Sequence, residues 1–142
     1  MIQRIQSVYL FLITILSTLL FFFPFQQNIV DLKIISLKLD ILNSTNTLLF
    51  IASLINLIIL IDSLTIIFLF KNRKLQMKMC IYLAIMNLIC LVLMYLSGTK
   101  SEGIPIYKLP FIIPVINIIL SILAYRNIKK DEELVRSADR IR

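Results

Sequence analysis

The chain has 142 residues, of which 59% are hydrophobic and 16% are charged, and its mean hydropathy is +0.92. Soluble domains average about half apolar and about a quarter charged residues, so this composition excludes a soluble globular domain and predicts an integral membrane protein. There is no histidine, which removes the commonest general base and transition-metal ligand. Phosphate-binding, hydrolase and other cofactor motifs are also missing from the sequence. We therefore expect no enzymatic activity, no cofactor and no bound metal.

Four apolar stretches are long enough to cross a membrane, which takes about 20 helical residues. They cover residues 8–25, 47–70, 79–96 and 109–125, approximately. We expect residues 1–142 to form a single domain, an all-α membrane protein built as a bundle of four transmembrane helices. The fourth helix is expected to continue beyond the membrane into the charged tail at 126–142.

The basic residues predict how the chain is oriented. The N-terminus with Arg4, the loop at 71–78 and the tail at 126–142 hold most of the 15 lysine and arginine residues. Because short cytoplasmic loops of membrane proteins carry an excess of these residues, both termini are expected to be cytoplasmic. This topology accounts for the net charge of +7, so no nucleic-acid partner is expected.

The two external segments show a weaker pattern. Within the external segment 26–46, apolar and polar residues alternate from Val30 to Ile41, and the parity of the alternation shifts near Ile34 and Ile35. That pattern predicts two short strands or one bulged strand, and residues 104–109 could add a third. We therefore expect a small external β-ribbon between helices 1 and 2, followed by polar residues at 43–46 that cap the second helix.

Asp62 is the one acidic or basic residue within the four predicted spans. Thr14, Asn87 and Asn117 lie at about the same depth on the other three helices, so the four residues are predicted to form a polar layer. The favoured interpretation is interhelical hydrogen bonding that fixes the register of the bundle, worth about 0.6 kcal/mol per contact. The alternative is a proton or cation site centred on Asp62, since ionisable residues inside membranes are commonly functional.

The charged tail also carries a pattern. Leu134, Ala138 and Ile141 recur at helical spacing and would form an apolar stripe on a solvated helix. A stripe of this kind suits a helix that lies on the membrane lipids as well as one that docks on a protein partner. The sequence leaves both interpretations open.

Three segments together carry a family resemblance: residues 1–10 (MIQRIQSVYL), 70–80 (FKNRKLQMKMC) and 130–142 (KDEELVRSADRIR). The chain resembles a family of small four-span inner-membrane proteins of unknown function that is typical of Bacteroidota. The resemblance implies a bacterial inner membrane, with the external ribbon in the periplasm. It also directs attention to the cytoplasmic face, where all three segments are expected to lie.

These observations favour an accessory or structural subunit of a larger inner-membrane complex, with inner-membrane proteins and membrane lipids as its partners. The alternative is a small oligomeric transporter or channel that uses Asp62 with Asn87 and Asn117. The residues expected to contact a partner or lipid are Arg4, Lys71, Arg73, Lys74, Lys78, Leu134, Arg136, Asp139, Arg140 and Arg142.

Overall fold

Four long helices make up most of the molecule. A computed structural model describes residues 3–28, 34, 35, 37, 47–69, 72–99 and 105–139. Within these ranges, each helix is long and apolar enough to cross a membrane, which confirms four long apolar helices as candidate spans and suggests a multi-pass membrane protein. The helices are α1 (Gln3–Phe22), α2 (Thr47–Phe68), α3 (Arg73–Thr99) and α4 (Ile113–Asp139).

The helices pack as a four-membered bundle in which α1 and α3 each lie between α2 and α4. Gln6, near the start of α1, contacts Asp131, near the end of α4. Gln76, near the start of α3, contacts Ile66, near the end of α2. Consecutive helices therefore run antiparallel. We call the end of the bundle that holds these four residues the tail end, and the opposite end the sheet end.

The buried residues of each helix recur at alternating spacings of three and four residues. This spacing is typical of helices that pack at small crossing angles in a left-handed bundle. The buried stripes are Gln6, Leu10, Ile13, Ser17 and Leu20 on α1; Ala52, Asn56, Ile59, Ser63 and Ile66 on α2; Gln76, Cys80, Leu83, Asn87, Cys90, Met94 and Ser97 on α3; and Asn117, Ser121, Ala124, Ile128 and Asp131 on α4.

The stripes make the interior more polar than the exterior. Serine, asparagine and glutamine side chains are buried among the apolar ones, whereas many isoleucine, leucine and phenylalanine side chains face outward. In water this arrangement would be unfavourable, but lipid tails are as apolar as leucine. Polar contacts therefore distinguish the inside of the bundle from its surroundings better than hydrophobicity does.

Two helices extend further than the predicted spans. α3 begins at Arg73 instead of near residue 79, and α4 continues without a break to Asp139. Residues 126–139 of the charged tail are thus the last part of α4, in agreement with the expected helical extension, whereas residues 140–142 lie outside the described part of the chain. Its buried stripe continues through Ile128 and Asp131, which packs this part of the tail against the bundle.

A small antiparallel sheet covers the sheet end. Its order is β2 (Ile34–Ile35), β1 (Gln26–Asn28) and β3 (Pro105–Tyr107). Gln26 pairs with Ile35 on one side and with Tyr107 on the other. β3 confirms the third strand proposed from residues 104–109, whereas β1 lies ahead of the alternating pattern and was not predicted. Most of that pattern, and the cap expected at 43–46, lies outside the described residues.

The sheet is held on α3 by a close contact at Gly98. A Cβ atom at this position would lie 2.7 Å from the Tyr107 hydroxyl and 2.9 Å from Oε1 of Gln26, so only glycine leaves room for both side chains. The Tyr107 ring lies between two other rings, with centroids 6.1 Å from Tyr95 and 4.5 Å from Phe111. Burial, together with Tyr95, raises the pKa of the Tyr107 phenol further above its ordinary value.

The connection from the sheet to α4 is a 3-10 turn (Leu109–Ile112) with Pro110 in its first positions. The backbone N–H of Lys108 donates to the carbonyl of Phe25 at 2.8 Å, which ties the turn to the end of α1. Pro114 falls in the first turn of α4. A proline there loses no intrahelical hydrogen bond.

Candidate functional site

Ser17 is the centre of a hydrogen-bond network inside the bundle. Asn56 of α2 donates through Nδ2 to the Ser17 carbonyl at 3.0 Å. Asn117 of α4 donates through Nδ2 to the Ser17 hydroxyl at 3.2 Å. All three residues are buried, so a single residue of α1 connects three helices. Such contacts fix the rotational position of each helix, because a polar group turned toward lipid would lose its partner.

A second contact lies one turn away on α1. The hydroxyls of Thr14 and Ser63 are 2.8 Å apart and join α1 to α2. Each hydroxyl also lies within hydrogen-bond distance of a carbonyl of its own helix, that of Leu10 for Thr14 and that of Leu60 for Ser63. Among the predicted layer residues, Thr14 and Asn117 therefore both contact neighbouring helices.

The other two layer residues are placed differently. Asn87 is buried, but its Nδ2 donates to the carbonyl of Leu83 on its own helix at 2.8 Å. Asp62 is half-buried, beside the exposed Ile61 on α2. No described side chain donates a hydrogen bond to its carboxyl or forms an ion pair with it. The structure does not bring the four residues together around one point, because Thr14 lies level with Ser63 whereas Asn117 lies one turn away, at Ser17.

The tail end contains a buried contact that the sequence analysis missed. Asp131 of α4 is buried, and its carboxylate accepts a hydrogen bond from the Gln6 side chain, which is also buried. Its backbone carbonyl accepts from Nη1 of Arg73 at 3.3 Å. The starts of α1 and α3 are thereby fastened to the last turns of α4. The sequence contained one signal for the burial of Asp131, because this residue continues the spacing of Ala124 and Ile128.

The predicted contact residues that the structure describes surround a groove at the tail end. The groove has a volume of about 650 Å³ and lies between the start of α3 and the end of α4, with Lys74 and Lys78 exposed and Arg73 half-buried along it. Across the groove lie Glu132 and Val135. Leu134 is 49% exposed. The side chains of Arg4, Lys71, Arg136, Asp139, Arg140 and Arg142 lie outside the described part of the chain.

A second groove of about 310 Å³ follows the same pair of helices toward the middle of the bundle. Its lining includes Ile81 and Ile85 from α3, and Ile122 and Tyr125 from α4. The surface of this groove is apolar. The two grooves therefore differ in chemistry although they lie between the same two helices.

The two cysteines lie in the interior of the bundle. Cys80 and Cys90 are free thiols buried in the stripe of α3. Across the ranges that the structure covers, no group of three or more histidine, cysteine or acidic side chains could hold a metal ion.

A family model described as a domain of unknown function (DUF4293) matches residues 2–141, so the chain belongs to this family. The match spans nearly the whole chain and agrees with the resemblance found in the sequence to a four-span family of unknown function. Comparison with curated proteins and with solved structures found no match.

Proposed function

We propose that this protein is a non-enzymatic accessory subunit of a larger complex in the bacterial inner membrane, and that its tail end is the surface that binds the partner. The observation that carries the proposal is the last part of α4. Leu134 and Val135 are 49% and 45% exposed at the end of a charged helix. They directly follow a stretch that is fastened to the bundle through Asp131.

A fastened helix is better suited to docking than a free one. Binding requires the contact residues to be ordered, at a cost of about 0.5–1.5 kcal/mol for each flexible side chain that is immobilised. The hydrogen bond from Gln6 and the contact from Arg73 already hold the helix just before Leu134. This geometry favours a protein partner over the alternative of a tail that rests loosely on the membrane.

The proposed orientation follows from charge. The tail end carries Arg73, Lys74, Lys78, Lys129 and Lys130, and the positive-inside rule favours the cytoplasm for such a surface. Both termini are then cytoplasmic, and the sheet faces the periplasm. The single ion pair among the described side chains, Lys129 with Glu133 at 4.0 Å, is exposed on the same part of α4.

The interior of the bundle supports a structural role. The side-chain amides of Asn56 and Asn117 are committed to contacts with Ser17, which stabilise one arrangement of the helices. The conduit that would use Asp62 with Asn87 and Asn117 stays a prediction, and the described geometry offers no particular support for it.

The test is to purify the tagged protein from its native membrane in a mild detergent and to identify co-purifying proteins by mass spectrometry. We expect a stoichiometric partner with the wild type and its loss with the double substitution Leu134→Ser and Val135→Ser. The matched control is Leu109→Ser, because Leu109 is 82% exposed at the sheet end and should leave the partner bound. Purification of the wild type without a partner, or loss of the partner only with the control, would contradict the proposal.

A further inference from the structure

The two grooves between α3 and α4 lie end to end on one side of the molecule. On α3, Lys74 and Lys78 line the first groove, and Ile81, Ile85 and Leu88 line the second. Successive residues of this set are four or three apart, so they lie on one face of the helix. A single strip of α3 therefore passes from the basic groove into the apolar one.

The facing strip of α4 follows the same order. Ile118, Ile122 and Tyr125 line the apolar groove, and Glu132, two turns further along, lines the basic groove. These residues also recur at spacings that keep them on one helix face. The two grooves share no lining residue, but they follow one another along the same pair of helices. We treat them together as one crevice, which is apolar toward the middle of the bundle and basic at the tail end.

The dimensions of the crevice match one leaflet of a membrane. Ten residues separate Lys78 from Leu88, which corresponds to about 15 Å along the helix at about 1.5 Å per residue. A leaflet contributes half of a hydrocarbon core that is about 30 Å thick. When the lysines lie at the level of the lipid headgroups, the apolar groove extends alongside one acyl chain to about the middle of the membrane.

The basic groove suits an anionic headgroup. Lys74 and Lys78 are exposed, and such ammonium groups bind phosphate oxygens through charge-assisted hydrogen bonds. Arg73 is positioned by its contact with the Asp131 carbonyl, which occupies one of its five N–H donors. Among the described side chains that line the groove, Glu132 is the one acidic residue and Arg73, Lys74 and Lys78 are basic, so the groove favours a negatively charged ligand.

We propose that the crevice between α3 and α4 is a binding site for one anionic phospholipid. Lys74, Lys78 and Arg73 bind its phosphate, and one acyl chain lies against Ile81, Ile85 and Tyr125. The occupant follows from the charge of one groove and from its continuity with the apolar groove. The lipid site shares Val135 with the surface proposed for the protein partner, so the two proposals are separated by what is measured, a lipid adduct for the site and a co-purifying protein for the partner.

Native mass spectrometry of the full-length protein in detergent tests the site. The protein is equilibrated with equal amounts of phosphatidylglycerol and phosphatidylcholine that carry identical acyl chains, and the one-lipid adducts are compared. We expect phosphatidylglycerol to predominate at least about tenfold, since each basic side chain near an anionic lipid contributes a factor of about five. Equal adducts of the two lipids would overturn the proposal.

Paired substitutions locate the headgroup. Lys74→Gln with Lys78→Gln should reduce the preference for phosphatidylglycerol to below about threefold, because both contributions to phosphate binding are lost. Arg126→Gln with Lys130→Gln removes the same charge from exposed positions of α4 that do not line the groove, and it should retain the preference. If both pairs have the same effect, the selectivity comes from the general charge of the surface, and the proposed site is wrong.

A third variant tests the apolar half of the crevice. Ala84 lines the apolar groove, so Ala84→Phe should fill part of it and displace the acyl chain, with a loss of most of the phosphatidylglycerol adduct. Ala84→Leu replaces it if the phenylalanine variant does not fold, as judged by circular dichroism. Inorganic phosphate in excess should leave the wild-type adduct in place. An adduct that survives in the folded variant, or that inorganic phosphate displaces, would show a headgroup contact without the crevice and would contradict the proposal.

Discussion

The two ends of the bundle are closed in different ways. At the sheet end, three short strands and stacked aromatic rings pack directly on α3, and Gly98 leaves room for them. At the tail end, hydrogen bonds from Gln6 and Arg73 to Asp131 hold the helices together. The sheet end is therefore covered by its own chain, whereas the tail end is held by a few hydrogen bonds, including that from Gln76 to Ile66, and leaves Lys74, Lys78 and Leu134 exposed.

We propose that the tail end is the one that binds a partner. The sheet end also exposes apolar side chains, such as Leu109 and Ile106, but its packing around Gly98 tolerates little change. The tail end offers Lys74, Lys78 and Leu134 on helices whose positions are fixed nearby. Substitutions at the sheet end should therefore affect stability, whereas substitutions of exposed tail-end residues should affect binding.

The largest loss of stability is expected from Gly98→Leu. Its side chain would displace Tyr107 and Gln26 from their contacts with α3, and overpacking of this kind typically costs 1–3 kcal/mol, here about 3. Thermal unfolding in detergent, followed by circular dichroism, measures the loss. Thr99→Leu is the matched control, because Thr99 is exposed on the same helix end, and its melting temperature should change little. Equal effects of the two substitutions would refute the close contact at Gly98.

The next effect is expected from Asp131→Ala at the tail end. The substitution removes the acceptor of the Gln6 side chain, and a buried donor left without its charged partner costs about 2 kcal/mol. Glu133→Ala removes the same charge from an exposed position nearby and should cost less than about 0.5 kcal/mol. Chemical denaturation of both variants compares them. If they lose the same stability, the tail is not fastened through Asp131.

A smaller effect is expected in the interior. Asn117→Leu removes the donor to the Ser17 hydroxyl and should cost about 0.6–1.7 kcal/mol, the range found for hydrogen bonds between membrane helices. Paired with Ser17→Ala in a double-mutant cycle, it isolates the interaction between the two residues. Additive losses would show that the two side chains do not stabilise the bundle together.

The smallest effect is expected from Asp62→Asn. The carboxyl meets no described partner, so the change should alter stability by less than about 0.5 kcal/mol and leave the proposed partner bound. Asp62→Asn therefore distinguishes the accessory-subunit hypothesis from the transporter or channel hypothesis. If the variant folds and inserts but abolishes the physiological function, the result supports the transporter or channel hypothesis and contradicts the accessory-subunit hypothesis.

The sequence was sufficient for the helices because a membrane imposes a length and a composition that can be read directly. It was less informative about how each helix is rotated around its own axis, that is, which residues face the interior. Asp62 and Ser63 are neighbours in sequence, but they lie about 100° apart around the helix, and it is Ser63 that occupies the interior and contacts Thr14. Depth alone placed Asp62 in the layer, whereas the three-and-four spacing of buried residues selects Ser63.

The features that were not predicted depend on contacts between distant residues. Asp131 has the appearance of a solvated carboxylate in a charged tail, and its burial requires Gln6, which lies on α1. β1 is a short polar segment whose partner β3 comes from the other end of the chain. Neither segment carries a local pattern that reveals its partner. For Asp131, the continuing spacing from Ile128 was the one usable signal.

The most direct test of the account compares the two ends in living cells by photocrosslinking. A photoreactive amino acid is placed at Leu134 in one variant and at Leu109 in the other, both of which are exposed. The account predicts one discrete crosslinked protein from position 134 and none from position 109. A discrete product from position 109 with none from position 134 would contradict the claim that the tail end is the surface that binds a partner.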